Sequence, residues 1–422
     1  MKHSFILLLF LFSSVLRAQN PFEMYSLSQQ KLAERDLPGF LKYAEQAHTL
    51  APFDLWFVAN LAKAYAMSGY KTKCIEILDD LSVMGFDFKI ERDSGFANVW
   101  NHSLVKQITE RAKNYSSVHA SSVAFTVAEK DLIPEGIAYD PRKNVFYLSS
   151  IYKRKVIAIL PDGSTFDFIP EAGDGVLSTL GMKVDAARNH LWVLSAMQTG
   201  KARTGGEEEI GKSYVHQYDL ASKQLLTVYS PDDTAKHLFN DLTITLNGDV
   251  YLTDSEEGSI YKIDVKNQML QRWYQGELMY YPNGITISPD QRYIFVAHWV
   301  GVSRISLVDT QETLIIPKAK TTLTGIDGLY FYDNGLLAVQ NGAGPQSRIM
   351  KFELNTTYDT VTKTTILESD HPSHNIPTTG VVVGDNFYYI ANSQLQSFTP
   401  DGKIFPMDKL EPVYILKLPL TN

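Results

Sequence analysis

Two spacings of hydrophobic residues divide the chain. Between residues 23 and 113 apolar positions follow a helical rhythm, and the rhythm itself returns every 34 residues: Leu27 with Leu61, Leu41 with Ile75, Ala44 with Leu78. From Val123 onward the apolar residues instead gather in runs of four to six, rich in Val, Ile, Tyr and Phe. Turns such as Asp162-Gly163, Asn247-Gly248, Asn334-Gly335 and Asp401-Gly402 separate the runs, the signature of short strands. Within this region one phrase occurs six times: EGIAYD (135–140), LGMKVD (180–185), NDLTIT (240–245), NGITIS (283–288), DGLYFY (327–332) and TGVVVG (379–384). Each copy is followed by a second apolar run, from VFYLSS to FYYIAN.

Six units in about 300 residues leave room for four short strands each, which predicts an all-β, six-bladed propeller over 123–422. The phrase becomes the innermost strand of each blade, apolar because both of its faces meet neighbouring blades. Its first residue then lies at one mouth of the central channel. The second strand runs back, so Ser150, Ser195, Asp254, His298, Gln340, Asn341 and Asn392 return to that mouth. Either Val123–Ala128 or Val413–Leu418 closes the ring. The longest spacing between copies holds an insertion, Gln198–Ser213, expected to overhang the mouth, with Gly206–Ser213 read as a mobile acidic loop. Residues 19–113 predict a small all-α domain whose paired helices resemble tetratricopeptide repeats, joined by a polar linker, 114–122. Two repeats are few for a free array, so the helices are expected to pack on the propeller or dock a protein partner.

Composition narrows the partners. A formal net charge of −8 and a pI near 5.7 argue against nucleic acid, which requires a basic footprint. Lys2 and His3 precede the apolar run Phe5–Phe12, and Ala18 ends the segment. Residues 1–18 read as a cleaved signal peptide, too short for a membrane span, so the protein is expected to be secreted or periplasmic. Cys74 is the one cysteine; it sits in a helical apolar pattern and reads as a buried structural thiol.

The leading positions of the six phrases are Glu135, Leu180, Asn240, Asn283, Asp327 and Thr379. Carboxylate and carboxamide oxygens, without thiols or clustered histidines, suit a hard cation: Ca2+ first, with Mg2+, Mn2+ or Zn2+ as alternatives. The competing reading is that Asn and Asp before Gly merely make tight turns, although Glu135 is no turn former. Gly206–Ser213 matches a phosphate-binding G-x-x-x-x-G-K-S pattern. It precedes a strand and carries three glutamates, so a phosphate cradle is rejected.

PEGIAYD, FNDLTIT, YPNGITISPDQRYIFVA and GIDGLYF, in order across about residues 125–400, resemble the SMP-30/gluconolactonase/LRE-like six-bladed propellers, relatives of the paraoxonase-type lactonases. The resemblance implies one divalent cation at the channel mouth and hydrolysis of lactones or esters. It implies Glu135, Asn283 and Asp327 as ligands, Asn240 directly or through water, and Asp241 as a weaker candidate for a second calcium. Asp327 would take the proton of the attacking water, with His298 as the alternative base. Sugar-lactonase members carry an arginine two residues before the motif asparagine, where this chain has Leu238. With Trp299, Tyr281 and Phe239 nearby, that points to a more apolar pocket. The alternative is a non-catalytic propeller, its metal structural and its mouth or helices binding a ligand or protein.

Overall fold

Short antiparallel strands pair into six sheets in the computed structural model, which describes residues 20–113, 118–198 and 201–421. The expected targeting segment, 1–18, lies outside the described residues. From inner to outer strand, blade 1 runs from Ile137–Asp140 to Thr165–Ile169 and blade 2 from Ser178–Asp185 to Leu225–Tyr229. Blade 3 runs from Phe239–Ile244 to Met269–Gln275, and blade 4 from Ile285–Ile287 to Glu312–Leu314. Blade 5 begins at Ile326–Tyr332 and ends at Thr360–Ser369, to which Ile316–Pro317 adds a short parallel strand. Each inner strand touches the next around the ring, the sixth meeting the first.

Both termini close the ring. Gly380–Val383, Asn386–Ile390 and Val413–Pro419 form the first three strands of blade 6, and Ser122–Val127 pairs onto the last of them. The two closing strands that the sequence offers are therefore neighbours in one sheet. Residues 118–121, read as linker, are bonded to blade 5: Ser369 N–H donates to Val118 O at 2.9 Å, and Ser121 N–H to the Glu368 carboxylate at 2.7 Å.

The propeller has no central core; its apolar residues fill the interfaces between blades. Because side chains alternate along a strand, Leu191 and Val193 pack toward blade 1 while Trp192 and Leu194 pack toward blade 3. The same division recurs at the other interfaces. At about 1.5–3 kcal/mol per large buried side chain, these interfaces stabilise the ring; a smaller apolar cluster, Ile133, Ile151, Leu180 and Ala196, lies at the mouth.

Helices α1 (Pro21–Ala33), α2 (Leu37–Leu50), α3 (Leu55–Met67) and α4 (Lys71–Val83) keep the 34-residue period, α3 and α4 repeating the starts of α1 and α2; α5 is Ser103–Lys113. Asn20, Asp36 and Asp54 accept backbone N–H groups at the starts of α1, α2 and α3, each cap contributing about 1 kcal/mol. Cys74 is fully buried in the helical core, and burial pushes its thiol up to about 12.

This segment is docked on the mouth side of blade 5. Thr322 Oγ1 and Thr324 Oγ1 donate to Phe53 O at 2.7 and 3.2 Å, and Trp56 Nε1–H donates to Gly342 O at 3.0 Å. Arg348 stacks on the Phe86 ring at 3.9 Å and donates to Met84 O at 2.9 Å. A Cβ on Gly344 would lie 2.4 Å from Phe86, so that glycine permits the close approach.

Candidate metal centre and substrate cleft

The leading residues reach the mouth by a shared local device. Two residues before Glu135, Asn283 and Asp327, the backbone turns left-handed at Ile133 (φ 49), Tyr281 (φ 50) and Gly325 (φ 63). For Ile and Tyr that conformation costs on the order of 1–3 kcal/mol, an energy the surrounding sheets must offset.

The glycine that follows most leading residues is there for packing. Built Cβ atoms on Gly136, Gly181 and Gly284 would lie 2.0, 2.4 and 2.3 Å from the backbone oxygens of Leu180, Asn240 and Asp327. Each glycine therefore lets the next blade's leading residue come close. Neither Gly284 nor Gly328 has positive φ, so the tight-turn reading of Asn283-Gly284 and Asp327-Gly328 does not hold. Blade 3 places Asp241 at this position, where it is buried.

Glu135, Asn240, Asn283 and Asp327 line one cavity of about 140 Å³. Glu135 and Asp327 are buried. Asn283 Nδ2 donates to Asp327 Oδ1 at 2.9 Å, and Asn240 Nδ2 to Ser255 Oγ at 3.0 Å. Thr378 Oγ1 from blade 6 donates to Glu135 O at 3.1 Å, fixing the glutamate backbone across the ring closure. Glu135 Oε2, Asn283 Oδ1 and, on the same cavity, Ser178 Oγ are buried and make no hydrogen bond. Orphaned buried oxygens cost about 1–3 kcal/mol each, and the first two with an adjacent carboxylate form a donor set suited to a hard cation. Leu180 and Thr379, the other two leading residues, offer no comparable anionic ligand.

Electrostatics agree. Burial, reinforced by Asp327 and Asp241, holds the Glu135 carboxyl well above its ordinary value. Burial raises Asp327 to about 6, against the opposing bonds from Asn341 and Asn283, and likewise raises Asp241. Three buried carboxylates with raised pKa values are a charge deficit that a divalent cation would relieve.

His298 does not fit the role of base. Val300 N–H donates to Nδ1 at 3.2 Å and Nε2 lies 2.9 Å from Ser303 Oγ, which itself donates to Glu312 at 2.6 Å. Both ring nitrogens are thus committed to protein, and burial lowers its pKa to about 3. Its expected alternative, Asp327, has oxygens facing the cavity wall and accepts a second bond from Asn341 Nδ2 at 2.7 Å.

Asn341 follows the second strand of the same blade, so the return of that strand to the mouth was its sequence signal. Gln198 and Lys201, from the blade 2 insertion, also line the inner cavity; no periodic signal marks them. Two described residues of the insertion are held by blade 1: Arg154 pairs with Glu209 at 3.2 Å and donates to Thr204 O at 3.1 Å.

Asp254 is bonded to His237 Nδ1 at 2.5 Å and to Leu238 N–H at 2.9 Å. Ligand atoms of His237, Asp254 and Glu257 lie within 4.8 Å of one another and could hold a metal ion. Both imidazole nitrogens already contact carboxylates, the second being that of Asp233.

A second, larger cleft of about 680 Å³ opens outward from the same floor, sharing Gln198, Leu238, Asn240, Asn283 and Asp327. Tyr281, Trp299 and Ile326 line it, together with Asn20 and Phe22 from the start of α1. Phe239 is buried in the blade 2–blade 3 interface, a core residue that does not line either cavity.

Residues 133–330 match the SMP-30/Gluconolactonase/LRE-like region. No curated protein matches the chain. Among solved structures, it is similar to a gluconolactonase from Xanthomonas campestris, with 14% identity over 72% of this chain and 91% of that one and a TM-score of 0.47. It is also similar to regucalcin, a calcium-binding protein from Agrobacterium tumefaciens, with 14% identity over 70% and 94% and a TM-score of 0.48. A virginiamycin B lyase from Staphylococcus aureus gives 15% identity over 70% and 98%, with a TM-score of 0.46. Likenesses of this strength bear on neither site nor reaction. No helix among the described residues is long and apolar enough to cross a membrane.

Proposed function

We propose that this chain, an SMP-30/gluconolactonase/LRE-like propeller over residues 133–330, is a metal-dependent hydrolase of lactones or esters. The observation that carries the reading is the pair of buried, unpartnered oxygens, Glu135 Oε2 and Asn283 Oδ1, on the cavity that Asp327 and Asn240 also line. Glu135, Asn283 and Asp327 would hold a divalent cation, Ca2+ being the best match, with Asn240 completing the set. Bound there, the cation supplies Lewis acidity toward a carbonyl oxygen.

The chain's own residues do the rest. Asn283 and Asn341 donate to the two oxygens of Asp327 and hold its carboxylate in a fixed plane. Buried beside the proposed cation, Asp327 is placed to accept a proton from the attacking water. Leu238, Leu180, Ile151 and Ala196 line the inner cavity and exclude bulk water from the reacting centre. A sugar lactone would find no arginine at Leu238, so apolar lactones and esters are the preferred class.

A panel of aryl esters and of aliphatic, aromatic and sugar lactones, assayed with Ca2+, Mn2+ or Zn2+ and then with chelator, tests this. Turnover of apolar substrates that disappears with chelator is the expected result. Absence of turnover across the panel, with chelator affecting thermal stability alone, would leave a non-catalytic, metal-stabilised binding module.

A further inference from the structure

The outer cleft has a wall that the propeller does not supply. Asn20 caps α1 by accepting Phe22 N–H at 2.9 Å, and that cap fixes where Phe22 leaves the helix. The Phe22 ring packs edge-on against Phe57 of α3, centroids 5.4 Å apart, and lies 3.7 Å from the ring of Trp299 in blade 4. Tyr281 meets Trp299 edge-on at 5.5 Å. Trp299 remains 38% exposed and Tyr281 54% exposed, so aromatic surface stays open beside the polar floor.

We propose that the helical segment is part of the substrate site, and that Phe22, Trp299 and Tyr281 form an aromatic wall that selects substrates carrying a flat, uncharged ring. The inference rests on the hydrolase reading for the floor and adds the class of group held above it. The charges favour this choice. Lys201 lines only the inner cavity, and no lysine or arginine among the described residues lines the outer one. An anionic substituent would have no partner there, whereas a neutral ring gains stacking beyond its buried area. The docking of α1–α4 on blade 5 holds the wall in register with Asp327, which belongs to the same blade.

The test separates binding from turnover. Benzamide carries a neutral ring and a carbonyl but resists hydrolysis; acetamide lacks the ring. Calorimetric titration of the full chain should show saturable benzamide binding in the millimolar range and none for acetamide. Phe22→Ala should weaken benzamide at least about tenfold, and Phe22→Tyr should restore it. Phe22→Leu keeps apolar packing on Phe57 while losing the ring, so it decides the matter should Phe22→Ala not fold, and it too should bind about tenfold more weakly. Unchanged benzamide affinity in Phe22→Leu, or no saturable binding to the parent, overturns the aromatic wall. Because benzamide is not consumed, an intact wall with no esterase activity would sink the reaction alone, and hydrolysis without benzamide binding would sink the wall alone.

Discussion

Six copies of one strand supply the floor of the mouth, whereas its outer wall comes from the first helix of the chain and a loop of blade 4. The floor is over-determined: left-handed turns at Ile133, Tyr281 and Gly325 aim three ligands inward, and glycines beside them let neighbouring blades close up. The wall rests on one capped helix start and three ring contacts. Chemistry that needs fixed oxygens sits on the rigid part. Recognition of a substrate's substituents sits on the part that changes with a few residues.

The largest expected break in this contrast is at Asp327. Replacing it by Ala should lower kcat/KM on the best apolar ester by about a thousandfold while weakening benzamide less than Phe22→Leu does, the aromatic wall being intact. Equal losses in both measurements would mean that floor and wall are one unit.

Stability sharpens the comparison next. An acid whose folded pKa is raised above its unfolded value stabilises the fold most when protonated, and that stability falls as pH rises. Glu135, Asp241 and Asp327 are all raised. Chelated protein should therefore lose stability between about pH 4, where free carboxyls titrate, and beyond the value of about 6 held by Asp327. Divalent cation at a hundredfold excess over Kd should add about 2.7 kcal/mol at pH 7 and less at pH 5, read as Tm by calorimetry. A Tm that rises with pH in chelator, or that ignores the cation, would remove the charge deficit from the floor.

The smallest effect is expected at His298. With both ring nitrogens bonded to protein, His298→Asn should cost less than about tenfold in kcat and show mainly as lost stability. A loss matching that of Asp327→Ala would restore the histidine as base.

Legibility follows the same line as the architecture. The propeller could be read from the chain because strand period and phrase period reinforce each other, and the floor because one position recurs in every blade. Glu135, Asn240, Asn283 and Asp327 share a cavity for that reason. The closing strand was ambiguous because Ser122–Val127 and Val413–Pro419 are both genuine strands, adjacent in one sheet. His298 looked available because strand ends return to the mouth; the bonds from Val300 and to Ser303 that occupy it depend on side-chain placement, which periodicity does not encode. No strand repeat marks Phe22 or Lys201, which lie on a helix start and in an insertion. Tertiary docking alone brings them to the site.

One titration bears most directly on the floor as a cation site. Ca2+ added to chelator-stripped protein and followed by calorimetry should give one saturable site at the mouth, and Glu135→Gln, which keeps the side chain's size but removes its charge, should weaken that site at least about a hundredfold. Binding that is unchanged in Glu135→Gln, or no binding of any divalent cation to the parent protein, would contradict the account.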